Sequence, residues 1–135
     1  MSSRDAMLAA LKVHLVPALR ARGFRGALPH LRRALDDRIE MLTVQFDRRG
    51  GGFVIEIATC GREGVTTYWG QRIPANRVTA HDVHPDQRHR LGSPERGVDG
   101  RWFRYDGELP CESVARQAVE LLPEADSWWA EPPRR

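Results

Sequence analysis

The residues with the clearest capacity for chemistry form a histidine-rich stretch that contains His81, His84 and His89. Zinc and iron sites use three such ligands that converge on one point. Pro85 keeps His84 out of helical backbone, and on a strand His81 and His84 would point to opposite sides. This spacing works against chelation, so we expect loop histidines in solvent and no cofactor. A small metal-dependent enzyme that uses these histidines is the alternative.

Cys111 is a candidate nucleophile because it stands at the predicted start of the last helix, where the helix dipole stabilises a thiolate. The adjacent Glu112 opposes that effect, and no histidine lies nearby in the sequence. We therefore interpret Cys111, like Cys60, as a small packed side chain. The Gly50-Gly51-Gly52 segment lacks the Lys-Ser/Thr of a phosphate-binding loop, which favours a hairpin tip.

Arginine and aromatic residues alternate in two places, at Tyr68-Trp69 with Arg72 and in the segment Arg101–Tyr105. A sheet face that carries both residue types could stack bases and hold phosphates, which makes RNA or single-stranded DNA a possible ligand. Strand alternation gives the same pattern when aromatics enter the core and arginines face solvent. We favour this second interpretation and keep nucleic-acid binding as an alternative function.

The charge balance does not identify a ligand class. Lys and Arg total 21 against 18 Asp and Glu, and Lys12 is the single lysine. The arginines are scattered among acids, whereas proteins that follow a phosphate backbone usually concentrate positive charge on one face. Two cysteines are too few for a secreted disulfide framework, and no apolar run reaches the roughly 18 residues of a membrane helix. We expect a cytoplasmic protein with no membrane contact.

These side chains must be positioned by a helix and a series of short strands. Leucines recur at helical spacing between residues 4 and 22, and Pro17 should kink that helix. Gly23 can close the helix in a Schellman motif, with Phe24 packed on Leu19. Alternation and turn residues then predict strands. The predicted strands are His30–Leu35, Arg38–Asp47, Phe53–Cys60, Val65–Trp69, Val78–Val83 and Arg101–Asp106.

A second amphipathic helix is predicted over Cys111–Leu122, ended by Pro123. We expect Trp128 and Trp129 to dock on the body and residues 130–135 to fray. Residues 1–135 then form a single α+β domain. Its antiparallel meander of about four to six strands is packed on one face by the N-terminal and C-terminal helices, and the other face is left for a ligand or a partner.

Several landmarks resemble a known bacterial family, domain of unknown function 4304. They are Leu15, Leu19, Gly23-Phe24, Val44-Gln45-Phe46, the strand from Phe53 to Ile57, Arg90-Leu91-Gly92 and Trp128-Trp129. The similarity covers nearly the whole chain. It implies a small cytosolic α+β protein without an established activity, and it assigns no catalytic residue.

The absence of a convergent set of acid, base and nucleophile favours a non-catalytic binding or protein-interaction module. Its open sheet face, or the connection from Gln71 to Arg101, would meet a protein partner, a second copy of the chain or a small anion. Arginine and tryptophan dominate binding hot spots. The expected contact residues are therefore Arg72, Arg88, Arg90, Trp69 and Trp102.

Overall fold

The computed structural model describes residues 3–92 and 102–131. Its helices are α1 (Ser3–Ala21), α2 (Cys111–Glu120) and α3 (Leu122–Ala130). Its strands are β1 (Arg25–Ala27), β2 (His30–Ala34), β3 (Ile39–Phe46), β4 (Gly52–Cys60), β5 (Val65–Thr66), β6 (Arg72–Ile73), β7 (Arg88–Arg90) and β8 (Phe103–Arg104). Two 3₁₀ helices span Ala80–Asp82 and Pro85–Gln87. None of the described helices is both long and apolar enough to cross a membrane.

The strands build one six-stranded antiparallel sheet and a separate hairpin. Strands β1 to β4 are neighbours in chain order, and β7 and β8 both pair with the remaining edge of β4. Strands β5 and β6 pair only with each other. The helices pack on one face of the sheet, as their contacts with the main core show. The predicted α+β class, with a meander covered by terminal helices, is confirmed.

Helix α1 follows from its leucine spacing and its terminal glycine. Leu11, Leu15 and Leu19 are fully buried. Gly23, at φ 91°, closes the helix through two hydrogen bonds: its own N–H to the carbonyl of Arg20 and the N–H of Phe24 to that of Leu19. This is the predicted Schellman motif, in which glycine adopts the left-handed conformation without a Cβ penalty.

The C-terminal end differs from the prediction in one respect. Pro123 does not end the helical region but lies in the first turn of helix α3. Proline is tolerated there because the backbone N–H that it lacks would have no hydrogen-bond partner within the helix. Trp129 is buried, as expected, with its ring 4.9 Å from that of Phe24 and its indole N–H donating to the carbonyl of Ala58. Of the predicted frayed tail, residues 132–135 lie outside the described residues.

The middle of the chain departs more from the predicted strands. The strand predicted over Val78–Val83 is wrong: this segment contains the first 3₁₀ helix. The strand predicted over Val65–Trp69 is reduced to β5, and Arg101 of the last predicted strand is outside the described residues. Strands of two or three residues carry too little alternation to be predicted, so their pairing is decided by tertiary contacts.

The second face of the sheet is not open, contrary to our expectation. A second apolar cluster covers it, formed where residues of β3 and β4 meet the segment that follows β5. Its buried members are Ile39, Met41, Ala58, Cys60, Ile73, Val78, Ala80 and Val83. Buried residues on both faces explain why apolar side chains occupy successive positions in β3.

Candidate functional site

Two arginines hold the segment Asn76–Arg88 against the second face of the sheet. Arg32, on β2, donates to the carbonyls of Val78 and Asn76 at 3.0 and 2.9 Å. Arg88, on β7, donates to the carbonyls of Val83 and His81 at 2.7 and 2.9 Å. A guanidinium offers five donors in a rigid fork, so one side chain can satisfy several loop carbonyls at once. The covering segment is thereby fixed to the sheet.

Glu56 places a carboxylate in the middle of this face. It belongs to β4 and is 7% exposed. Its two oxygens accept from Arg88 at 3.5 Å and from Arg90 at 3.4 Å. A buried carboxylate must be paired, because the free energy of removing an isolated charge from water is prohibitive. Glu56 therefore shares its single negative charge between two arginines that we had expected to contact a ligand.

A pair of imidazoles lies beside this ion cluster. The rings of His30 and His81 are 6.1 Å apart and nearly perpendicular. Nδ1 of His30 is 2.9 Å from Oγ1 of Thr43, whereas Nε2 of His81 is buried without a hydrogen-bond partner. Burial lowers the pKa of both rings. His30 is lowered further by His81, whereas Glu56 opposes the shift of His81. The pair is therefore neutral at neutral pH.

Next to His81 the surface opens into a cleft of about 340 Å³ between the β5–β6 hairpin and the two 3₁₀ helices. We call it the Trp69 cleft. It is lined by Val65, Thr66, Thr67, Tyr68, Trp69, His81, Asp82, Val83, His84, Pro85, Asp86, Gln87 and Arg88. Its volume is at the lower end of the range of about 300–1,000 Å³ that is usual for ligand sites. It can therefore admit one large side chain or a small molecule.

The hairpin presents two aromatic side chains at the rim of this cleft. Tyr68 is 88% exposed and Trp69 is 57% exposed, with their rings 4.9 Å apart and perpendicular. The turn is closed by hydrogen bonds from the Thr67 N–H to the Gln71 carbonyl and from the Gln71 N–H to the Thr67 hydroxyl. The indole N–H of Trp69 donates to the side chain of Gln71 at 3.1 Å. The aromatic pair is thus held out from the body by a rigid turn.

The predicted contact arginines have other bonding roles. Arg88 and Arg90 pair with Glu56, as described, and Arg72 donates to the carbonyl of Glu63 at 2.8 Å, which ties the base of the hairpin. Trp102, 38% exposed, lies between Arg90 and Arg104, whose guanidinium carbons are 6.0 and 5.5 Å from its ring. Of the five predicted contacts, Trp69 and Arg88 line the cleft.

The structure separates the three predicted metal ligands. His81 and His84 line the Trp69 cleft, but His89 faces the helices, where its Nε2 is 2.8 Å from a carboxylate oxygen of Glu124. Nδ1 of His84 accepts the N–H of Asp86 at 3.1 Å. Within residues 3–92 and 102–131, no group of three or more His, Cys, Asp or Glu side chains is placed to hold a metal ion.

Neither cysteine adjoins the cleft. Cys60 is buried in the second apolar cluster, and Cys111 is half-buried against the main core at the start of α2. The two cysteines are not joined by a disulfide. Phe103 and Tyr105 are also buried in the main core. Of the base-stacking surface predicted for this segment, Trp102 and Arg104 are the described residues that remain exposed. Strand alternation had indicated this division.

Sequence reasoning missed the two buried glutamates. Glu56 is described above, and Glu40 is 1% exposed on the helix-covered face, where Arg33 and Arg38 pair with it. Both lie inside strongly apolar strands. A carboxylate in such a strand indicates a buried charge, which must be paired with an arginine or another cation. The sequence does not show which of the twenty arginines serves each glutamate, since the pairing depends on the fold.

Comparison with known proteins identifies a family. The family model Domain of unknown function (DUF4304) matches residues 15–132. The chain belongs to this family. The match begins inside α1 and extends through α3, so the DUF4304 domain includes the whole sheet, the Trp69 cleft and the segment that covers the second face. No curated protein and no solved structure matches the chain.

Proposed function

We propose that this DUF4304 protein is a cytoplasmic, non-catalytic protein-interaction module that binds its partner at the Trp69 cleft. The observation that carries the proposal is the adjacent pair Tyr68 and Trp69, both more than half exposed at the rim of a cleft. Clustered exposed aromatics on an otherwise polar surface are typical of binding sites, and tryptophan and tyrosine are the residues most enriched in hot spots. A chain with two cysteines has too few for a disulfide framework, which supports a reducing compartment.

The rigidity of the cleft supports the same proposal. Arg88 fixes one wall by bonding the carbonyls of Val83 and His81, and the Thr67–Gln71 hydrogen bonds fix the other. A site that is already ordered before binding loses less conformational entropy when the partner arrives. The cleft is therefore suited to hold an anchor side chain of the partner.

The polar groups of the cleft are engaged in ways that favour binding over catalysis. Asp82 accepts from the N–H and the hydroxyl of Thr79 at 2.8 and 3.2 Å. His84 accepts from the backbone of Asp86, and Nε2 of His81 is buried. A general base must reach the proton that it removes, directly or through one water. Asp82 and His84 bond neighbouring groups of the chain instead, and Nε2 of His81 does not reach the surface.

The test compares Trp69→Ala with Trp102→Ala, which removes an exposed tryptophan outside the cleft. Native mass spectrometry of protein taken directly from cells would identify a bound chain, and the complex would be reconstituted from the two purified proteins. We expect Trp69→Ala to weaken the reconstituted complex about tenfold or more, as hot-spot residues do, and Trp102→Ala to leave it unchanged. Equal affinity in both variants, or no complex of defined stoichiometry with a partner or a second copy, would overturn the proposal.

A second candidate function, binding of RNA or single-stranded DNA, is favoured by one observation. Trp102 lies between the guanidiniums of Arg90 and Arg104, an arrangement in which the ring can stack on a base and the cations can meet phosphates. For this function Trp102→Ala is the test variant and Trp69→Ala is the control. Trp102→Ala should abolish binding of a labelled oligonucleotide, and Trp69→Ala should leave that binding unchanged. Affinity should also fall steeply with salt, so a flat salt response excludes this function.

A further inference from the structure

The charged residues of the Trp69 cleft show which chemical group the cleft would accept. They are Asp82, Asp86 and Arg88. Asp86 is an exposed carboxylate, with 80% of its side chain accessible. Arg88 is 21% exposed and already bonded to two backbone carbonyls and to Glu56. The most exposed charge of the cleft is therefore a carboxylate, although the whole chain carries a formal charge of +3.

Of the histidines that line the cleft, His81 adds no positive charge at neutral pH. Burial lowers the pKa of His81, and the neighbouring His30 is shifted in the same direction. His84 is exposed, and its Nδ1 lies 3.1 Å from the backbone nitrogen of Asp86 and 3.5 Å from a carboxylate oxygen of the same residue. The cation that faces the two carboxylates in the cleft is Arg88, which is mostly buried and is bonded to two backbone carbonyls and to Glu56.

The aromatic rim adds a second feature that attracts cations. Tyr68 and Trp69 both line the cleft and are exposed, with their rings at right angles to each other. The face of an aromatic ring carries negative potential and attracts a Lys ammonium or an Arg guanidinium within about 6 Å of its centre. Carboxylates and ring faces around one small cleft favour the same ligand charge.

From this combination we infer that the Trp69 cleft accepts a cationic side chain, a lysine or an arginine, presented by the protein partner. This inference rests on the proposed function and specifies the chemistry of its contact. At this cleft it favours a cation over the small anion that we had also considered, because Arg88 is 21% exposed and already bonded, whereas Asp86 is 80% exposed.

The test uses short peptides as probes. Acetyl-Gly-Lys-Gly-amide and its arginine counterpart would be titrated while the indole N–H resonance of Trp69, assigned with Trp69→Ala, is followed by NMR. The matched neutral probe replaces lysine by norleucine, and the anionic probe replaces it by glutamate. We expect the two cationic peptides to shift the Trp69 resonance and the norleucine and glutamate peptides to have at most a fraction of that effect. Equal shifts with norleucine, or larger shifts with glutamate, would contradict the inference.

A matched pair of variants tests the role of the carboxylate. Asp86→Asn should weaken binding of the lysine peptide about two- to fivefold, as loss of one exposed ion pair does. Asp37→Asn is the control, because Asp37 is 75% exposed, is paired with Arg38 and lies outside the cleft. The reconstituted partner complex provides a second measurement, in which Asp86→Lys should reduce affinity more than Asp86→Asn.

The outcomes separate the inference from the proposed function. A partner complex that depends on Trp69 but is insensitive to Asp86→Lys refutes the cationic contact and leaves the interaction module intact. A complex that is insensitive to Trp69→Ala refutes both. Failure of the peptides to bind, combined with an Asp86-independent complex, counts against the inference alone.

Discussion

The two faces of the central sheet are formed by the same strands, but they are covered in different ways. On one face, α1, α2 and α3 contribute leucine, valine and tryptophan side chains to a continuous apolar core. On the other, an irregular segment with two 3₁₀ helices covers a smaller apolar cluster and leaves Glu56, His30 and His81 in a polar region beside a cleft. The larger apolar core therefore lies on the first face, and the proposed binding site lies on the second.

The two faces differ because the helices and the irregular segment satisfy different numbers of their own backbone hydrogen bonds. A helix bonds its own backbone and presents side chains alone, so it can bury an apolar face completely. An irregular segment has free carbonyls that must find donors elsewhere. Arg32 and Arg88 supply those donors, and their charges in turn require a carboxylate. The irregular cover therefore brings polar groups into proximity, which is a precondition for binding.

The largest effect is expected from removing the main aromatic anchor of the helix-covered face. Trp129→Ala should lower the free energy of unfolding by about 3–5 kcal/mol, because the indole is buried against Phe24 and its N–H bonds the Ala58 carbonyl. Trp128→Ala is the neighbouring control, since Trp128 is half-buried and stacks on His89. Urea denaturation of both variants checks the contrast. Equal losses would mean that helix α3 does not depend on a single anchor.

A smaller effect is expected at the buried glutamates, one of which lies on each face. Glu40→Gln should cost about 2–3 kcal/mol, less than the ~3–5 kcal/mol of a fully enclosed pair, because Arg33 and Arg38 are 21 and 32% exposed. Glu56→Gln should cost about 1 kcal/mol, since its bonds are longer, at 3.4 and 3.5 Å. Denaturant midpoints give both values. A larger loss at Glu56 would make the second face the more stable one.

A local effect is expected from releasing the irregular cover. Arg88→Met keeps the apolar stem but removes the donors to the carbonyls of Val83 and His81. Amide hydrogen exchange should then accelerate about tenfold in residues 78–83, while the amides of β3 keep their protection. Arg72→Met, at the base of the hairpin, is the control for loss of an arginine elsewhere. Uniform acceleration over the whole sheet would show that the cover and the sheet unfold together.

The smallest effect is expected from pH, and it should originate on the second face. His30 and His81 have lowered pKa values in the folded protein, so the unfolded chain binds protons first as pH falls. The groups that face them are Arg32, Arg88 and Arg90, which lower the pKa, and Asp82 and Glu56, which raise it. Their contribution to stability is complete above the unfolded value of about 6.5 and is lost as pH falls below it towards the folded values.

Unfolding measured between pH 7.5 and 5.5 checks this expectation, with His81→Gln as the variant that removes one of the two titrating rings. The loss of stability on acidification should be smaller in His81→Gln than in the unmodified chain. His84→Gln is the control because His84 is exposed, with 58% of its side chain accessible. If His81→Gln had the same pH profile of stability as the unmodified chain, the pH dependence would arise from groups other than His30 and His81.

The sequence by itself determined the features that depend on short-range patterns. The leucine spacing of α1, its Gly23-Phe24 ending and the paired strands β2 to β4 are local, because periodicity and turn residues specify them without reference to distant segments. The order of these landmarks also identified the family. The prediction failed where elements are short, as with the strand expected over Val78–Val83 and the continuation of the helical region beyond Pro123.

Only the tertiary structure decided how the charged residues are used. The sequence does not distinguish structural arginines such as Arg72, Arg88 and Arg90 from arginines that bind ligands. Their hydrogen-bond acceptors lie up to 34 positions away in the chain. The same holds for the Trp69 cleft, which needs a hairpin at residues 65–73 and two 3₁₀ helices at 80–87 to meet. Local propensity acts over a few residues, whereas the pairing of buried charges and the shape of a cleft depend on which distant segments the core brings together.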